Sequence, residues 1–146
     1  MGGIVMYNVH VIARYVIHRC AQNERPINNL KLQKILYFIQ AEFLVGTGRA
    51  CFDDEIEAWT YGPVVPSVYS HYMIFGSTNI PDQEDDGFES ISIQDKERLD
   101  AIIDAAAKYS SSSLIEITHR QSPWKNAYRR KDKVIKQSEI KEYFAS

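Results

Sequence analysis

Apolar residues recur along most of this chain with a helical period and alternate over only one short stretch. From residue 9 to 23, Val9, Ile12, Ala13, Val16, Ile17 and Cys20 share one arc of a helical wheel, with Arg14, His18 and Gln22 on the wet side opposite. Pro26 ends that pattern. Asn28 or Asn29 then caps a second helix over Leu30–Val45, with Gly46 and Gly48 as stop signals.

The second helix carries the most information. Leu32, Ile35, Leu36, Ile39 and Phe43 form one apolar arc, and Leu30, Tyr37, Ala41 and Leu44 form another. Gln33 and Gln40 occupy the gap between them, while Lys31, Lys34 and Glu42 mark the wet sector, with Phe38 and Val45 among them. A helix apolar on two sides must be covered on two sides, so this one is expected at the centre of a bundle. Buried amides need partners. Gln33 and Gln40 either bind loop backbone, the more ordinary outcome, or line a groove for a partner.

Further along, Ile56 and Ala58 alternate with Glu55 and Glu57 up to Trp59, which predicts a short strand within 53–60. Tyr61-Gly62-Pro63-Val64-Val65-Pro66 follows, with Pro66 suited to open a third helix to Phe75. Residues 77–91 read as loop, with at most a small hairpin around Phe88. Ser92 to Asp95 resembles a capping box for a helix carrying Leu99, Ile102, Ile103 and Ala106. Ser110 to Ser113 reads as a loop, Ser113 to Glu116 as the capping box of a fifth helix, and Ser122-Pro123 as the start of a sixth. Val134-Ile135 is a brief extended piece before a last helical turn or two from Glu139. The expected fold is mainly α: a compact bundle of about six or seven helices around a buried central one, with at most one small two-stranded β element.

Composition supports one globular domain over residues 1–146. The chain is 45% hydrophobic and 12% aromatic, enough to bury about 70% of its unfolded surface without a metal or disulfide. Cys20 and Cys51 are too few for a disulfide framework and are expected free in a reducing compartment. Met1–Met6 lacks a basic leader region, Gly2-Gly3 is followed by Met rather than Ser or Thr at position 6, and no run reaches the roughly 18 apolar residues of a membrane span. A cytoplasmic protein is expected. The net charge of -2 is uneven: residues 82–109 carry -6 and residues 110–146 carry +4, centred on Arg129, Arg130, Lys131, Lys133 and Lys136. That basic run reads as a wet face. With no recognition helix beside it and an acidic whole, nucleic acid is not the expected partner.

Candidate chemistry is sparse. His10, His18, His71 and His119 form no metal-binding pair, and the Asp53, Asp54, Glu55, Glu57 cluster lacks the ordered oxygen spacing of a calcium loop. His119 is expected to tie the fifth helix to a loop carbonyl. No nucleophile–base set can be assigned, so no enzyme, cofactor or metal is expected; a metal-dependent hydrolase using Asp53, Glu55 and His119 is the minor alternative. Trp59, Tyr61, Tyr69, Tyr72, Trp124 and Tyr128 gather in or near helix-joining segments, where aromatics serve binding surfaces or fill gaps.

The run Asn29–Phe38, the stretch Phe52–Trp59, Tyr61-Gly62-Pro63-Val64-Val65-Pro66 with Tyr69, then Leu114, Thr118-His119, Pro123-Trp124, Val134-Ile135, Ile140 and Tyr143-Phe144 together resemble the Panacea domain, the SocA-like antitoxin family. The resemblance spans about residues 9–144. It implies a helical antitoxin that neutralises a toxin, encoded by an adjacent gene, through direct protein contact, with at least one relative delivering its toxin to an AAA+ protease. It carries no catalytic residue over. The family's Gln-Lys pair falls on Gln33 and Lys34, its Trp-x-Tyr-Gly-Pro stretch on Trp59, Tyr61, Gly62 and Pro63, and its His-Arg-x-x-Pro-Trp stretch on His119, Arg120, Pro123 and Trp124. On this reading Lys31, Gln33, Lys34, Phe38, Glu42, Trp59, Tyr61 and Tyr69 are candidate partner contacts, and Gln40, Gly62, Pro63, Pro66, His119, Pro123 and Trp124 are scaffold. A prophage accessory protein that binds a host protein without neutralising a toxin is the main alternative, and exposed tyrosines leave room for a homodimer.

Overall fold

The computed structural model describes residues 6–146; the leader and Gly2-Gly3 readings fall on residues outside these. The chain runs α1 (Val9–Gln22), α2 (Asn29–Gly46), β1 (Ile56–Trp59), β2 (Gly62–Val64), α3 (Pro66–Tyr72), α4 (Ile93–Ala107), α5 (Ser111–His119), α6 (Ser122–Tyr128), β3 (Val134–Ile135) and α7 (Gln137–Ala145), with 3-10 turns at Met73–Phe75 and Phe88–Ser90. It is mainly helical, as the periodicity predicts. In α1 the six residues on the predicted apolar arc are the six that are buried.

The central helix is α2, which packs against α1, α3, α4, α5, α7 and β2. Twelve of its 18 residues are buried, so its sides are covered by different neighbours. Asn28 caps it, its Oδ1 accepting from the Lys31 N–H at 2.9 Å, and Thr47 closes it.

The sheet has three strands rather than two, in the order β2-β1-β3, with both pairings antiparallel. Trp59 pairs with Gly62, so the tight turn at Thr60-Tyr61 folds the Gly-Pro-Val segment back onto β1. Pro63, lacking an N–H, is tolerated because β2 is an edge strand.

Several local readings are corrected. The 77–91 segment is loop as expected, with a 3-10 turn at Phe88–Ser90, but it changes the reading of α1. It lies over α1, where Arg14 donates to the Asp86 carbonyl, His18 and Gln22 meet Asp82, and the Phe88 ring packs on Tyr15, half-covering the predicted wet face. Ser110, not Ser113, caps α5: its Oγ accepts from the Ser113 N–H at 3.1 Å, so the predicted loop is the helix's first turn. Gln121 occupies the cap position of α6, with Pro123 in its first turn. The third helix gives way to a 3-10 turn after Tyr72.

Candidate functional site

One stripe of α2 is polar and entirely consumed inside the molecule. Gln40 Nε2 donates to the Phe52 carbonyl at 2.8 Å, and its Oε1 accepts from the Cys51 N–H at 2.8 Å. Gln33 Oε1 accepts from the Val65 N–H at 2.9 Å while its Nε2 donates to Asn29 Oδ1, and Asn29 in turn donates to the Tyr69 carbonyl. Tyr37 Oη donates to Gln121 Oε1 at 2.7 Å. Where the β1–β2 ladder leaves buried backbone groups of residues 51–69 unpaired, at Cys51, Phe52, Pro63, Val65 and Tyr69, side chains of α2 satisfy them.

Lys34 belongs to this stripe. The helical wheel puts it in the wet sector, yet it is 0% exposed, with Nζ donating to the Pro63 carbonyl at 3.2 Å. The reason is tertiary: β2 lies across α2, and Gly62, at φ +107, leaves room for the lysine stem. A β-carbon there would sit 2.5 Å from Lys34 Cε and 3.0 Å from Thr118 Oγ1. Burial pulls the Lys34 amine down to about 7, and no charged neighbour offsets it. Gln33 and Lys34 therefore present no side chain at the surface, which corrects their expected contact role.

The β1–β2 turn is held from the other side by an aromatic column. The His119 and Trp124 rings stack with centroids 4.1 Å apart, Trp124 and Tyr128 stack at 4.7 Å, and Lys133 Nζ lies 4.4 Å from the Tyr128 centroid. His119 Nε2 lies 2.8 Å from the Thr60 carbonyl, so this nitrogen carries the proton and donates. Trp124 Nε1 donates to the Trp59 carbonyl at 2.9 Å. The expected tie from α5 to a loop carbonyl is therefore present. Trp59 is half-buried, its Nε1 donating to Glu57 and its ring edge-on to half-buried Tyr69. Pro63 and Pro123 are buried and Pro66 opens α3, whereas Tyr61 at the turn tip is 60% exposed.

The remaining candidates lie where α2 meets α4, α5 and α7. Lys31 Nζ donates to the Ala107 carbonyl at 2.8 Å, a cation on the C-terminal end of α4. Glu42 pairs with Arg98 at 2.9 Å. Between them Phe38 is half-buried and lines two adjoining surface hollows. One, of about 250 Å³, is walled by Ile102, Ala105, Ala106, Tyr109, Leu114 and Ile117; the other, of about 160 Å³, by Ala41, Glu42, Val45, Ile102 and Phe144. Together they form an apolar trough open to solvent.

The hydrolase residues do not converge. Asp53 and Glu55 line a hollow beside Val134 and Lys136, while His119 is committed to Thr60 beyond the turn. Among the described residues no group of three or more His, Cys, Asp and Glu side chains is placed to hold a metal. Cys20 and Cys51 are free and buried, and burial pushes the Cys20 thiol up to about 11. Among the described residues, no helix is long and apolar enough to cross a membrane.

A family model described as Antitoxin SocA-like, Panacea domain, matches residues 32–125. The chain belongs to the SocA-like Panacea family. It is 30% identical over 128 residues to Antitoxin SocA of Caulobacter vibrioides (strain NA1000 / CB15N), a similarity covering 80% of this chain and 68% of that protein. No solved structure matches this chain. The segment matched to the Panacea model opens inside α2 and ends in α6, taking in the polar stripe from Gln33 onward, the β1–β2 turn and much of the aromatic column. Of this geometry, sequence reasoning misses the trough. Its signal is the helix-spaced pair Ile102 and Ala105 on α4 with Tyr109 just past its end, of which the sequence reading takes up only Ile102.

Proposed function

We propose that this chain is an antitoxin that neutralises a cognate toxin by direct protein contact, with the trough around Phe38 as the contact surface. The observation that carries the reading is an open apolar concavity built on α2, the most constrained element of the fold, in a chain whose family is named for antitoxins. Apolar side chains held on a rigid helix lose little freedom when a partner covers them, which favours tight binding. The buried motif residues Gln33, Lys34 and Pro63 support that platform from behind and do not enter this interface.

The test is co-expression with the product of the adjacent gene, scored by rescue of growth and by co-purification. Phe38→Asp places a charge in the trough. It should weaken the complex about a hundredfold, the scale of a strong hot spot, while leaving the far-ultraviolet circular dichroism unchanged. Rescue that survives both Phe38→Asp and Ile102→Asp would exclude the trough, and absence of any rescue by the parent chain would exclude the antitoxin reading.

A further inference from the structure

The β1–β2 turn and the end of α6 are welded into one surface. Besides the ties from His119 and Trp124, Thr60 Oγ1 lies 3.5 Å from Tyr128 Oη, and the Lys133 carbonyl accepts from the Ala58 N–H at 2.7 Å. Lys133 is held in the left-handed region at φ +62, a conformation that non-glycine residues avoid, with its Nζ donating to the Tyr128 carbonyl. On this rigid base stand exposed Tyr61 and the edge of Tyr128, which is 36% exposed.

The chain segment that carries Tyr128 is one-sided in charge. Residues 120–136 hold seven basic side chains and a single acid, Asp132. Arg120 is paired with Glu116 and Arg130 with Glu139, but Lys125, Arg129 and Lys131 form no ion pair with any described residue. Arg129, Lys131 and Lys133 also lie beyond the residues matched by the family model.

We propose that Tyr61, Tyr128, Arg129, Lys131 and Lys133 form a docking surface for an acidic segment of a protein partner. The proposal rests on the reading that this chain acts by protein contact, and adds the chemistry of what it contacts. Unpaired cations beside exposed tyrosines complement carboxylates interspersed with apolar groups, and they steer such a partner into register. Nucleic acid fits less well. Single strands bind by stacking bases on open ring faces, but Trp124 is sandwiched between His119 and Tyr128, and Tyr128 between Trp124 and Lys133. A seven-residue α6 is also short for a helix that reads a groove.

The experiment is fluorescence anisotropy on the full chain with two labelled probes, a random glutamate–tyrosine copolymer and a DNA duplex. The copolymer should bind, release as salt is raised, and lose about tenfold in affinity in the Arg129→Glu, Lys131→Glu double variant, with a smaller loss in Tyr61→Ala. Absence of copolymer binding, binding indifferent to these variants, or DNA binding as tight or tighter would each overturn the proposal. Growth rescue without copolymer binding would sink this surface and leave the antitoxin reading standing. Copolymer binding without rescue would do the reverse.

Discussion

The two sides of α2 use the same helix in opposite ways. On one, Asn29, Gln33, Lys34, Tyr37 and Gln40 are spent satisfying the backbone of residues 51–69 and the side chain of Gln121. On the other, Phe38, Glu42 and Val45 are left partly uncovered beside α4 and α7. The polar side is dense in family motif and closed to a partner; the apolar side is sparse in motif and open. A family motif can therefore mark the frame that holds a surface, not the surface itself.

That contrast predicts unequal sensitivity. The largest effect is expected at Gly62. Gly62→Ala forces a side chain into the left-handed region and drives its β-carbon against Lys34, which should cost about 3 kcal/mol from backbone strain and overpacking together. Urea denaturation measures it, and a loss below about 1 kcal/mol would mean that β2 is not pressed on Lys34.

Lys34 itself sharpens the comparison through pH. Its folded value of about 7 lies below the roughly 10.4 of an unfolded lysine, so between these limits the unfolded chain binds a proton that the folded chain does not. Stability should therefore rise with pH across that window, by up to about 1.4 kcal/mol per pH unit, and level off below it. Lys34→Met keeps the stem and removes the amine. Its urea midpoint should lose this rise relative to the parent and lie level with or above it at pH 7; parallel curves for the two chains would show that the amine is hydrated and charged.

The smallest effect is expected on the open side. Glu42→Gln removes a half-exposed ion pair with Arg98 and should change stability by no more than about 0.5 kcal/mol. A loss as large as that at Gly62 would erase the distinction between the two sides.

Much of the frame was legible before any coordinates. The buried arc of α1, the Asn28 cap, the Ser92 cap and the central place of α2 follow from spacing and end residues, because periodicity and capping are properties of a few neighbouring side chains. Gln40 was legible as a buried amide on loop backbone for a related reason, that an amide flanked by leucines has few other outlets, whereas Gln33, also expected as a partner contact, is buried against Val65. Lys34 was not legible. A lysine one position from Gln33 looks wet on any wheel until β2 is laid across it, and that placement depends on residues about thirty positions away in sequence. The Phe38 trough was hidden likewise, since it is a gap left between helices and no single helix encodes a gap.

The amino-acid order alone determined that most of the chain is helical, which arcs of α1 and α2 are apolar, where those two helices are capped, and which family the chain resembles. These are written in local contacts and composition. Only the tertiary structure decided which face of α2 was closed by a β-turn and which stayed open, and that Tyr61, Tyr128 and Lys133 share one surface. The physical reason is that coverage of a side chain depends on which distant segment lands on it, and that is settled when the whole chain packs together.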